Sequence, residues 1–136
     1  MARIEDLPAQ KTTFLSAEVL GLTLPYRDAL IKLLDLLESG KLPWVSNTRR
    51  PKKDGFNISI GLSEGDCGTV GCFAGWAYIL SGRVEPPMVR QTPEQMEAWG
   101  NLVTPPGWGN GADERYSLPH CITALRSYLE TGHAAW

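Results

Sequence analysis

The sequence predicts a mainly α fold, three to four helices around a central glycine-rich helix, with a minor β element. A small α+β arrangement is the second choice. Three observations lead there. Apolar residues recur at helical spacing in two long stretches, Tyr26 to Leu37 and Leu118 to Leu129. Glycine or proline punctuates the ends of these stretches. The apolar period drops to two in one place only, between Phe56 and Leu62.

Residues 1–15 read as polar and irregular. Ser16 is placed to cap a short helix through Val19 and Leu20 that Gly21 ends. Pro25 suits a first helical turn, where its missing N–H does no harm. Tyr26, Leu30, Leu33, Leu34 and Leu37 then share one face, and Asp28 and Lys32 are placed as an i,i+4 pair. Gly40 closes this helix, expected over 25–39, and Pro43 blocks its continuation.

A basic loop follows, containing Arg49, Arg50, Lys52 and Lys53. Phe56, Ile58, Ile60 and Leu62 alternate with Asn57, Ser59 and Gly61, which predicts a half-buried strand. A lone strand is unstable, so it needs a partner, for which Leu102 to Thr104 is a candidate. Asp66 or Thr69 caps a second helix expected over 70–80, closed by Gly82. Thr92, Pro93 and Gln95 predict a capping box and a short helix that Gly100 ends. Asn101 to Ala112, rich in Gly and Pro, reads as a loop carrying Trp108. The last helix starts near Ser117, carries Leu118, Ile122, Leu125 and Leu129 on one face, and ends at Gly132. There are no internal repeats and no separating linker, so one domain is expected over residues 1–136.

Bulk properties exclude several function classes. The chain has 136 residues, 43% apolar and 21% charged, close to globular averages. At this size folding buries roughly two-thirds of the unfolded surface, enough for a core without disulfides or metals. The formal charge is −2, from 13 basic and 15 acidic residues, which argues against a large nucleic-acid footprint. Three cysteines, Cys67, Cys72 and Cys121, do not suit a secreted disulfide framework. No apolar run approaches the ~20 residues that span a bilayer, and Met1 to Gln10 lacks a signal-peptide core. A cytoplasmic protein with reduced thiols is expected.

The unusual segment runs from Asp66 to Ala77, Asp-Cys-Gly-Thr-Val-Gly-Cys-Phe-Ala-Gly-Trp-Ala. Gly71 and Gly75 are four apart, so within a helix they form one bare face that lets another backbone or ring approach. Tight packing of a buried helix is the favoured reading. A sharper reading uses the thiol. Cys72 in a first helical turn would feel the positive end of the dipole, which favours thiolate. His120 is then the candidate base and Asp66 a helper. The stretch looks superficially like the papain-type signature. Here, however, four residues separate the cysteines instead of two, and Trp76 is four positions past Cys72 instead of next to it. A metal reading would take Cys67, Cys72, His120 and Cys121. Adjacent helical residues diverge by about 100°, which opposes ligation by His120 and Cys121 together. No cofactor and no metal is expected. The basic segment beside Trp44 could touch phosphate, but in a net-acidic chain a solvated loop is the simpler reading. The five tryptophans favour a binding surface, with Trp44 and Trp108 as its aromatic candidates.

The run Cys67-Gly68-Thr69-Val70-Gly71-Cys72-Phe73-Ala74-Gly75-Trp76-Ala77 resembles a motif of small proteins encoded by bacteriophages and prophage-like regions of bacterial genomes. That motif reads Cys-Gly-Thr-x-x-Cys-x-x-Gly-Trp-Ala. The resemblance extends to Phe56-Asn57-Ile58 upstream and to Ala124-Leu125 and Leu129-Glu130-Thr131-Gly132 downstream. Gly71 stands where alanine is commoner. The resemblance implies a mobile-element origin and a small accessory protein; it names no substrate. Two functions are carried forward. One is a binding protein that docks on a host or phage macromolecule, most simply a protein, for example to inhibit a host defence. The other is a cysteine-dependent hydrolase or transferase using Cys72 and His120.

Overall fold

The structure, a computed structural model, describes residues 14–45, 53–58, 62–64, 68–83, 91–105 and 117–136. It is mainly helical with a small sheet, as expected. Helix α1 spans Ala17–Leu20 and α2 Leu24–Glu38. Strands β1 (Gly55–Phe56), β2 (Leu62–Glu64) and β3 (Thr69–Gly71) follow. Helices α3 (Phe73–Leu80), α4 (Pro93–Val103) and α5 (Leu118–Thr131) complete the described elements.

Local chemistry explains the helices. The Ser16 hydroxyl accepts from the Val19 N–H at the start of α1, and Gly21 closes it at φ 73°. In α2, Tyr26, Ala29, Leu30, Leu33, Leu34 and Leu37 are buried on one stripe. Asp28 pairs with Arg27 at 3.0 Å, not with Lys32. Thr92 and Gln95 form the expected capping box on α4. At α5 the third helical position is His120, and the Ser117 N–H donates to its Nδ1 at 3.2 Å.

Helix α2 is the axis. Both α3 and α5 pack along it, and α4 packs on α5. The buried residues of these helices form one hydrophobic cluster with Phe56 and Ile58. Tyr26 meets the edge of Trp99 with ring centroids 5.5 Å apart, and Trp99 meets Tyr128 at 6.0 Å.

Four further sequence expectations are corrected. The Phe56–Leu62 stretch is not one strand. Asn57 and Ile58 are both buried, at 2% and 1% exposure, so the alternation fails at its second residue. The Asn57 amide turns inward because its Nδ2 donates to the Val45 carbonyl at 2.9 Å. The sheet partner is Thr69–Gly71 and not Leu102–Thr104. The sheet order is β1-β3-β2, with β1 parallel and β2 antiparallel to β3. The central helix begins at Phe73, with Cys72 as its N-cap, so Gly71 lies in β3 and shares no helical face with Gly75. Finally, α4 runs through Gly100 to Val103. A mid-helix glycine costs about 1 kcal/mol, whereas burying Trp99 and Leu102 on that face returns about 1.5–3 kcal/mol each.

A motif folded around the base of the basic segment

The glycine- and cysteine-rich motif holds the chain at Lys53–Phe56. Gly68 lies directly on the backbone of Lys53. A Cβ there would fall 2.7 Å from the Lys53 Cα and closer still to its carbonyl group, so glycine is required by contact. The next residue, Thr69, donates its backbone N–H to the Asp54 carboxylate at 2.9 Å. Val70 and Gly71 pair with Gly55 and Phe56. One turn into α3, the Trp76 indole Nε1 donates to the Gly55 carbonyl at 2.8 Å, a buried bond. Three successive residues, Lys53, Asp54 and Gly55, are each held by a different residue of the motif.

The other side of this base is held as firmly. Val45 donates its N–H to the Phe56 carbonyl at 3.1 Å, and Phe56 donates to the Pro43 carbonyl at 2.8 Å. Trp44 bridges to Phe56 in parallel register and its ring meets the Phe56 ring edge at 6.1 Å. The chain before the basic segment, Pro43–Val45, and the chain after it therefore meet in parallel at Trp44 and Phe56.

Cys72 is buried at the end of β3, and its carbonyl accepts the first helical bond, from the Trp76 N–H at 3.0 Å. Phe73, beside it, packs on Phe56 at 5.1 Å and on Trp136 at 6.2 Å. His120 is exposed in the first turn of α5, and its Nδ1 also lies 2.9 Å from the Ser117 hydroxyl. Cys121, the next residue, is fully buried in the core, and burial pushes its thiol up to about 12. Burial of this kind disfavours the thiolate that a nucleophile requires. Among the described residues no group of three or more His, Cys, Asp or Glu is placed to hold a metal ion.

Asp66, Cys67, Arg49, Arg50, Lys52 and Trp108 lie outside the described residues. Lys53 is exposed, and Trp44 is half-buried on the core. Trp99 is buried, and the Trp136 indole donates to the Asn101 carbonyl at 2.6 Å. The described tryptophans are thus packing elements first. Sequence reasoning missed Asp54 and Asn57, which anchor the base. The signals were present in the turn dipeptide Asp54-Gly55 and in a polar residue set inside an apolar run. No described helix is long and apolar enough to cross a membrane. Neither a family model, nor a curated protein, nor a solved structure matches the chain.

Proposed function

We propose that this protein is a small, non-enzymatic binding protein that docks on a host or phage protein in the bacterial cytoplasm. The mobile-element origin follows from the motif resemblance, and inhibition of a host defence is a task that suits it. The observation that carries the reading is how the motif spends its groups. Gly68, Thr69 and Trp76 are used on the chain at Lys53, Asp54 and Gly55. They brace the base of the segment that bears Arg49, Arg50, Lys52 and Lys53. A recognition segment on a braced base loses less conformational entropy when it docks. Its cluster of cations suits an acidic protein surface, where charge complementarity speeds encounter and rejects wrong partners.

The test reverses all four charges, Arg49→Glu, Arg50→Glu, Lys52→Glu and Lys53→Glu together. Quantitative affinity capture from host lysate is expected to recover a specific partner with the wild type and about tenfold less with the variant. Equal recovery by both, or no specific partner, would sink the reading.

The cysteine-dependent alternative rests on one observation, the N-cap position of Cys72 at the positive end of α3. It requires Cys72 in the folded protein to react with iodoacetamide well below pH 8. If Cys72 is alkylated only after denaturation, that alternative is lost.

A further inference from the structure

The large hydrophobic side chains exposed among the described residues are Val19, Leu24 and Met96, at 56%, 61% and 50% exposure. They are not scattered. Val19 is at the end of α1, Leu24 opens α2, and Met96 lies in the first turns of α4. These three element ends meet at one corner. Gln95 Nε2 donates to the Val19 carbonyl at 2.8 Å and to the Glu18 carbonyl at 3.2 Å. Gly21 sits against the side chains of Gln95 and Gln91. The Leu22 N–H turns back to the Ala17 carbonyl at 2.9 Å and leads into α2. Single exposed apolar residues need no explanation, but their concentration at one corner does.

Among the described residues, the charged side chains of α1 and α4 have one sign. Helices α1 and α4 carry Glu18, Glu94 and Glu97, all exposed, and neither helix has a Lys or Arg. On α2, Arg27 is taken by the Leu15 carbonyl at 3.0 Å and by Asp28. This pattern selects among occupants. A second copy placed across a two-fold axis would bring like charges together, which is costly. Nucleic acid and anionic lipid headgroups would meet the same repulsion. An amphipathic segment with an apolar stripe flanked by Lys or Arg satisfies both features, laying its apolar face on the three side chains and its cations on the glutamates.

We propose that the α1–α2–α4 corner is a docking surface for a basic amphipathic segment of a partner protein. It does not depend on the function proposed for the basic segment. The probe is a synthetic Leu/Lys amphipathic helix with a fluorescent label, and its Leu/Glu twin is the comparison. The wild type is expected to bind the Leu/Lys peptide at least about tenfold more tightly than the twin. Val19→Ser with Met96→Ser removes the apolar contact and keeps the charge, and about a tenfold loss is expected. Glu94→Lys with Glu97→Lys is expected to give a similar loss and a flatter salt dependence. All four positions are exposed, so the variants keep the fold, as circular dichroism and melting curves check. Equal binding of the two peptides, or unchanged binding in the serine variant, overturns the proposal. Wild-type self-association that Met96→Ser abolishes would also overturn it, by assigning the corner to a second copy.

Discussion

At Gly68 the backbone of Lys53 occupies the space a side chain would need. Gly68→Ala must therefore push the two segments apart, at an expected cost of about 1–3 kcal/mol. Trp76→Phe keeps most of the ring but removes the indole hydrogen bond to the Gly55 carbonyl, at a cost of about 1 kcal/mol. Urea denaturation at pH 7 measures both, and a change under 0.5 kcal/mol in either would show that the motif does not brace the base (roughly the spread of neutral surface substitutions). Buried acids give this scale a pH signature. Cys121 rises from its ordinary 9.0 to about 12, and Tyr128 rises too, each because burial disfavours the anion. The folded state holds these protons while the unfolded chain releases them. Their contribution is complete below pH 9 and is lost as pH climbs towards 12. Stability is expected to fall between pH 9 and 10.5, and Cys121→Ala to reduce that slope. A slope identical in the variant would mean that Cys121 does not carry it. The Tyr128 hydroxyl is also buried without a hydrogen-bond partner, so Tyr128→Phe is expected to be neutral or stabilising by up to about 1 kcal/mol in the same assay.

Each helix is explained by its own ends and its own stripe. The unusual end is that of α5, where His120 stands in the capping-box position that Glu or Gln normally fills. A glutamine there can still reach back to the Ser117 N–H, whereas alanine cannot. His120→Gln is expected to keep stability within about 0.5 kcal/mol, and His120→Ala to lose about 0.5–2 kcal/mol, by thermal denaturation near pH 8. Equal effects of the two would show that the cap contributes nothing. The helix starts at Ser16, Thr92 and Ser117 were legible in the sequence because capping is decided within four residues. The start of α3 was not. Thr69 and Val70 lie close enough to a helical pattern to be read as its first turn, but pairing with Glu64 and Gly55 drew them into a strand. The strand from Phe56 failed for a related reason, since the Asn57 side chain found a partner, the Val45 carbonyl, twelve residues away.

Across the molecule, burial outweighs surface charge. Arg126 joins α5 to α2 through a 2.8 Å bond to Glu38 and also meets Glu130 at 3.2 Å, but all three groups are solvent-accessible. Arg126→Met is expected to cost less than about 1 kcal/mol. Leu30→Ala, at the fully buried centre of α2, is expected to cost about 2–5 kcal/mol. Denaturant titration ranks the two, and the reverse order would contradict an assembly built around the α2 axis. The sequence by itself determined the helical class, the caps and the stripes of α2, α4 and α5, because these follow from spacing along a few turns of chain. Only the tertiary structure decided that the glycine-rich motif is half strand and half helix, and that it closes on Lys53–Phe56. Those outcomes come from hydrogen bonds and close contacts between residues 12 to 21 positions apart, which no local period encodes.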